Sequence, residues 1–182
     1  SSIEFEFDMQ KTVEVILYIA KRRQNPTIRD ILKLIYLADK TSLENYGRFI
    51  TGDRYVAMRQ GPVPSKTYDV IKEARESNAF GFAVEYGYHI KPLRDADTDE
   101  LSESDISCLD LTMKVFGSLP GWALLKESHD DASSILVREG HGALDQRLDR
   151  LQALLCPLGE LTTALHLAAP ILHRIQHNPR LV

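Results

Sequence analysis

The stretch ENYGRFITGDRYVAMRQGPVPSKTYD, residues 44–69, lies between two segments of helical periodicity and interrupts both. It contains three glycines, two prolines and four aromatic residues. Gly47 suits the left-handed cap of a helix that ends at Tyr46, because glycine adopts positive φ without a steric cost. The Gly52-Asp53 pair is typical of a turn. The stretch therefore predicts a structured break, which is either catalytic, a phosphate cradle or a recognition face.

Two helices are expected before this break. Residues 9–23 carry apolar side chains at i, i+3, i+4 and i+7, which predicts an amphipathic helix. Thr27 and Asp30 form a capping-box pattern, so a second helix should start there. Its run at 34–38 is apolar on nearly every side, as expected of a central helix. Asp39 follows the run, and we expect it to point outward or to pair with a Lys or Arg, as exposed acids usually do.

Two segments predict β-structure. Residues 54–58 are expected to form a short strand, and strict alternation over 82–91 predicts a half-buried strand that pairs with it. Between them, Gly61 to Pro64 predicts an extended connection because proline lacks a backbone donor, and Ser65 should cap a third helix. The predicted fold is therefore mainly α, a single compact helical domain with a small β-ribbon formed by about 54–58 and 82–91.

Further helices are expected in the second half of the chain. Ser102 with Asp105 repeats the capping-box pattern, and Pro120 suits the start of a short helix whose buried side includes Trp122. Later leucines form a seam and then a second apolar stripe, one expected to close the core and the other to contact a partner or a second copy. The predicted organisation is one domain over 7–142, with a C-terminal helical extension over 143–182 packed on it or contiguous with it.

Composition excludes several classes of function. The chain has 182 residues, a formal net charge of -4 and a pI of about 5.9, which argues against nucleic-acid binding because phosphate affinity depends on clustered Lys and Arg. No apolar run approaches the length of about 20 residues that spans a bilayer, and no signal-peptide pattern is present, so a cytoplasmic protein is expected. Cys108 and Cys156 form no disulfide pattern and are interpreted as buried thiols.

Catalysis has little support in the sequence. The glycines of residues 44–69 lack the spacing of a phosphate-binding loop, and no serine lies in a strained G-x-S-x-G turn. His166, His173 and His177 are the best candidate metal ligands, but histidines beside a leucine seam more often lie on a solvated helix flank. We therefore expect no catalytic residue, no metal and no cofactor. A metal-dependent enzyme that uses these histidines is the alternative.

Recognition is the remaining interpretation of residues 44–69. Tyrosine and arginine are enriched at binding hot spots, and the stretch concentrates both. For Tyr55 and Tyr68 it is equally plausible that the rings pack the ribbon onto the second helix. We expect the loop to be ordered before binding, with Arg48 and Phe49 partly exposed at its tip.

The same residues carry a resemblance to a known family. The segments LKLIYLAD, YGRFITGDRYVAMRQGPVPSKTYDVIK, LSESDISCLD and GWALLKESH resemble the Panacea family of SocA-like, phage-associated proteins over about residues 7–129. The resemblance implies a mostly helical antitoxin that neutralises its toxin by direct protein binding. One member of the family is instead an adaptor that delivers a toxin to a AAA+ protease, which is the alternative function here.

The resemblance implies neither a cofactor nor a catalytic residue. The residues that match the family pattern are Asp39, Tyr46, Gly47, Arg48, Thr51, Gly52, Asp53, Tyr55, Gly61, Pro62, Val63, Pro64, Tyr68, Trp122 and His129. The predicted partner-binding residues are Tyr46, Arg48, Phe49, Thr51, Asp53, Tyr55, Gly61, Pro62 and Val63. The expected partner is a cognate toxin, with a AAA+ protease and a second copy of the chain as further candidates. Neither specific nucleic acid nor a membrane is expected.

Overall fold

A computed structural model describes residues 6–58, 61–86 and 88–130. The helices are α1 (Met9–Arg22), α2 (Ile28–Tyr46), α3 (Ser65–Ala74), α4 (Glu103–Phe116) and α5 (Gly121–Asp130). The strands are β1 (Tyr55–Met58), β2 (Gly61–Pro64), β3 (Phe82–Glu85) and β4 (His89–Pro92), and a 3₁₀ turn covers Thr98–Glu100. The fold is mainly α with small β elements, as predicted from the sequence.

Helix α2 is the centre of the fold. The predicted capping box is present: Asp30 N donates to Thr27 Oγ1 at 3.2 Å, and Thr27 N donates to an Asp30 carboxylate oxygen at 3.1 Å. The helix ends at Gly47, whose φ of 69° is the left-handed cap expected from the sequence. Between these ends α2 packs against the other four helices and β2. Its apolar run is buried on all sides, which confirms the central position.

The strands form two separate antiparallel hairpins. Strand β1 pairs with β2, and β3 pairs with β4, so the predicted pairing of 54–58 with 82–91 is wrong. Residues 82–91 are not one strand either, because the chain turns between β3 and β4, where Tyr88 N donates to Glu85 O at 3.1 Å. In each observed hairpin only a few residues separate the paired strands. Pairing 54–58 with 82–91 would close a much longer loop, and the entropic cost of closing a loop rises with its length.

Two local predictions are corrected by the contacts of the helices. Ser65 is the first residue of α3 and makes no side-chain cap. Trp122 is 52% exposed, because Ala123 and Leu124 are the residues that α5 turns toward the core. Pro120 lies directly before α5 as expected, and its carbonyl accepts from Ala123 N at 2.9 Å.

Helix α4 begins as the sequence predicts. Asp105 N donates to Ser102 Oγ at 3.1 Å, and Ser102 N donates to Asp105 Oδ2 at 3.0 Å, which completes the second capping box. Cys108 of α4 is a buried free thiol, as expected, and burial raises its pKa to about 11. Cys156, the extension over 143–182 and the late histidines lie outside the described residues. No described helix has the length and apolar character needed to cross a membrane.

Candidate partner-binding site

Asp39 is an internal anchor for the loop that follows α2. The side chain is fully buried, and its Oδ1 accepts from Ile50 N at 2.7 Å. Its Oδ2 accepts from Thr51 Oγ1 at 3.2 Å and from Tyr55 Oη at 2.7 Å. The expectation that Asp39 points outward is therefore wrong, because the loop folds back and supplies the donors that a buried carboxylate requires. Burial nevertheless raises the pKa of Asp39 to about 6.

The aromatic side chains of Phe49 and Tyr55 belong to the core. Tyr55 is fully buried and meets Tyr36 of α2 edge-on, with ring centroids 5.4 Å apart. Phe49 also meets Tyr55 edge-on, with ring centroids 5.8 Å apart, and is only 4% exposed. The interpretation of Tyr55 as a ring packed on the second helix is confirmed. The expectation that Phe49 is partly exposed is wrong, because the Asp39 contacts draw the loop onto α2.

Asp53 caps helix α3 from outside the helix. Its Oδ1 accepts from Lys66 N at 3.1 Å, and its Oδ2 accepts from Thr67 N at 2.6 Å and from Thr67 Oγ1 at 2.7 Å. These bonds satisfy backbone N–H groups of the first turn, and a carboxylate at a helix N-terminus also opposes the positive end of the helix dipole. Asp53 therefore takes the role that the sequence assigned to Ser65.

Gly52 is required by a close approach of two backbone segments. Its φ is 67°, and a Cβ at this position would collide with the carbonyl oxygen of Glu6. Beside it, Asp8 N donates to Thr51 O at 3.0 Å, which fixes the segment before α1 over the loop. Gly52 therefore has the left-handed φ expected of it, but Gly52-Asp53 is not a regular turn, and the glycine serves chain packing.

Arg48 connects the loop to the start of α4. Its Nη2 lies 2.7 Å from Asp105 Oδ1 and donates to the hydroxyls of Ser102 and Ser104. The Arg48 side chain is 34% exposed, which agrees with the expected partial exposure. Burial alone would raise the pKa of Asp105, but hydrogen bonds from Ser102, Arg48 and Lys11 hold it below the usual value. Arg48 therefore joins the loop to the first turn of α4.

The β1–β2 hairpin lies on a buried lysine of α2. Lys33 Nζ donates to Pro62 O at 3.0 Å, and the side chain is almost inaccessible. Burial lowers the pKa of Lys33 to about 7, and the neighbouring positive charge of Arg29 adds to the effect. Gly61, with φ of 91°, fits tightly here: a Cβ would lie 2.9 Å from Lys33 Nζ and 3.1 Å from His129 Nε2. The Gly61 to Pro64 segment is therefore fixed against α2 and α5.

An open cleft of about 540 Å³ lies where this hairpin, the first half of α2, helix α3 and the β3–β4 turn meet. Its lining combines apolar, aromatic and cationic side chains. The lining residues are Thr27, Ile28, Arg29, Leu32, Lys33, Met58, Val63, Tyr68, Arg75 and Tyr88.

The comparisons with known proteins identify the family. The antitoxin SocA-like, Panacea domain matches residues 31–133, more than half of the chain. The chain belongs to the SocA-like Panacea domain family. Neither a curated protein nor a solved structure gives a significant match. The family match contains Asp39 and the whole of residues 44–69, so the resemblance inferred from those residues is confirmed.

The rim of the Panacea domain's cleft is built from the β3–β4 turn and helix α3. Tyr88 has a positive φ of 63° although it is not glycine, and its carbonyl accepts from Ile28 N at 2.8 Å. The guanidinium of Arg75 lies 4.9 Å from the centre of the Tyr88 ring. Lys72 Nζ lies 5.1 Å from the centre of the Tyr68 ring. These cation–π contacts orient both rings at the cleft.

The predicted partner-binding residues of the Panacea domain divide into scaffold and surface. The buried members are Phe49, Thr51, Asp53, Tyr55, Gly61, Pro62 and Val63, of which Val63 lines the cleft. Tyr46 and Arg48 are accessible, but they lie at the opposite end of α2 from Lys33, about 20 Å away by helical rise. Contact of any of these residues with a partner stays a prediction.

No sequence pattern points to Arg29, Arg75 and Tyr88 as cleft residues, because they come from three elements that only the fold brings together. The burial of Lys33 could have been predicted from the sequence, because a lysine within a helix that is apolar on nearly every side must be largely buried. Among the described residues, no group of three or more His, Cys, Asp or Glu side chains has the arrangement of a metal site. His166, His173 and His177 are outside that part of the chain.

Proposed function

We propose that this Panacea domain is the antitoxin of a toxin–antitoxin pair, acting in the cytoplasm by direct binding of its toxin and not by catalysis. Membership of the family supports an antitoxin role. The observation that carries direct binding is the open cleft, whose surface presents Met58, Tyr88, Arg29 and Arg75 together. Aromatic side chains and arginine dominate binding hot spots, and methionine is also enriched at protein interfaces.

The residues behind the cleft support binding without rearrangement. Lys33 holds Pro62, while Asp53 joins the entrance of β1 to α3. Because the walls are fixed by buried hydrogen bonds, little conformational entropy remains to be lost when a partner enters. A preformed cleft is what a protein that binds and neutralises another protein requires.

Growth rescue with a matched pair of variants tests the proposal. The protein encoded beside this chain's gene is expressed with the wild-type chain, Met58→Asp or Leu93→Asp. Met58 lines the cleft and is 45% exposed, whereas Leu93 does not line it and is 51% exposed. Because both replacements add a charge to an exposed apolar position, only their location differs.

We expect the wild-type chain and Leu93→Asp to restore growth and to co-purify with the toxin, and Met58→Asp to do neither. Circular dichroism of both variants confirms that they are folded. A pulse-chase of the toxin separates neutralisation from proteolytic delivery: a shortened toxin lifetime would contradict simple neutralisation and favour the adaptor. Failure of the wild-type chain both to rescue growth and to bind would refute the antitoxin assignment for this pair.

A further inference from the structure

The charge of the cleft is opposite in sign to that of the whole protein. Arg29, Lys33 and Arg75 line it, and none of the acidic residues that the structure describes does, although the chain has a net charge of -4. Three arginines elsewhere are paired with acids: Arg23 with Asp30 at 3.3 Å, Arg48 with Asp105 and Arg94 with Glu14. Within the described residues, Arg29 and Arg75 have no such ion pair. The cleft is therefore a local concentration of positive charge.

The walls between these cations are apolar. Leu32 and Val63 are buried at the base, while Met58 and Tyr88 are exposed at the rim and Tyr68 is half-buried. Exposed large apolar side chains around a concave surface are typical of protein-binding sites. An occupant must therefore present apolar side chains as well as negative charge.

We propose that the cleft binds a short segment of the toxin in which Asp or Glu residues alternate with large apolar side chains. This inference rests on the proposed antitoxin function and adds the chemistry of the partner. Carboxylates of the segment pair with Arg29 and Arg75, whose planar guanidinium groups bind carboxylates through two hydrogen bonds. Its apolar side chains pack on Met58, Tyr68 and Tyr88.

Lys33 has a different role from the two arginines. Its amino group is buried at the floor, already donates to Pro62 O and is only partly charged at neutral pH, so it adds little positive potential and makes no direct contact. Charge complementarity of this kind mainly sets specificity and the rate of association. Nucleic acid fits less well, because it requires a more extended basic surface than these few cations provide.

Three labelled peptides of twelve residues test the inference on the full chain. They share the same Leu and Phe positions and carry Glu, Gln or Lys at every other position, and binding is measured by fluorescence anisotropy. We expect the Glu peptide to bind at least about tenfold more tightly than the Gln peptide, because hydrogen bonds between a guanidinium and a carboxylate are stronger than those to a neutral amide. The Lys peptide should not bind, and added salt should weaken the Glu peptide most.

Two matched pairs of charge reversals test whether the preference for the Glu peptide depends on the cleft. Arg29→Glu with Arg75→Glu should abolish preference for the Glu peptide. Lys21→Glu with Lys114→Glu changes the net charge equally at exposed positions outside the cleft and should preserve the preference. Equal binding of the three peptides, binding of none, or equal loss in both double variants would overturn the inference.

A benzophenone side chain in place of Met58 identifies the occupant by photo-cross-linking. A cross-link to the Glu peptide supports the inference, whereas a dominant cross-link to the chain's own residues after 130 or to a second copy overturns it. The two proposals fail separately. Rescue of growth without discrimination among the peptides refutes the acidic-segment inference alone. Preference for the Glu peptide without growth rescue or toxin binding supports the inferred chemistry of the cleft and refutes the antitoxin assignment.

Discussion

Replacing Asp39 with alanine should release the loop from α2. The change removes the acceptor of three buried hydrogen bonds, from Ile50 N, Thr51 Oγ1 and Tyr55 Oη. A buried donor left without a partner costs about 1–3 kcal/mol. The hydroxyl of Thr51 can rotate toward another acceptor, so we expect a loss of about 3–5 kcal/mol in the free energy of unfolding. That loss is a large part of the about 5–15 kcal/mol that stabilises a typical domain.

Asp39→Asn is the matched control, because it keeps the shape and one acceptor oxygen but cannot ionise. The folded-state pKa of Asp39 is raised to about 6, against 3.8 when unfolded. Between these values the folded protein holds a proton that the unfolded chain has lost, so the stability that protonated Asp39 contributes is fully present below about pH 4 and is lost as pH rises to about 6. The contribution lost over this window is about 3 kcal/mol. Asp39→Asn should lack this component.

Urea unfolding followed by circular dichroism between pH 4 and pH 7 measures both effects. The difference in stability between the wild type and Asp39→Asn should change by about 2 kcal/mol between pH 4 and pH 6, because that range covers most but not all of the titration. The reasoning is refuted if Asp39→Ala is within about 1 kcal/mol of the wild type at pH 7, because the loop would then not depend on the buried carboxylate. A difference that stays constant with pH would show that Asp39 is not desolvated.

Other changes separate scaffold from surface. Phe49→Ala should lower the free energy of unfolding by about 3–5 kcal/mol, because it opens a cavity, whereas Arg48→Ala should lower it by about 1 kcal/mol in the same urea assay. Equal losses for the two variants would contradict the burial of Phe49. Gly52→Ala should lower the free energy of unfolding several times more than Gly47→Ala does. Gly47 has a similar φ, but a Cβ there would have nothing within 4 Å. Similar urea midpoints for the two variants would argue against the close approach at Gly52. Lys33→Met should be more stable than the wild type at pH 7, because folding lowers the pKa of Lys33 to about 7. Wild-type stability should then rise with pH and reduce this advantage by about 1 kcal/mol per pH unit from pH 7 to pH 9. An advantage that stays constant over that range would contradict the lowered pKa of Lys33.

The elements that the sequence predicted correctly depend on neighbours a few residues away. The capping boxes at Thr27 and Ser102 each join residues three positions apart, and Gly47 acts through its own φ. Such local rules need no knowledge of the fold. The helices that carry them were therefore placed correctly before any tertiary contact was known.

The failed predictions concern residues whose partners are distant in sequence. Asp39 is buried because donors arrive from residues 50–55, and a pattern that covers one helix cannot show this. Strand pairing failed for a related reason: alternation predicts which residues face the core but not which strand is adjacent. Asp53 replaced Ser65 as the cap of α3 because a stronger acceptor was placed there by the fold.

The family motif and the cleft are largely separate sets of residues, and this separation affects how mutations are interpreted. Asp39, Gly52 and Asp53 are buried and hold the hairpin, so a substitution at any of them should displace the cleft wall. Arg29 and Arg75 border the cleft and support no buried network among the described residues, so their side chains can change without disturbing that scaffold. Loss of rescue identifies a contact only when the stability of the variant is unchanged.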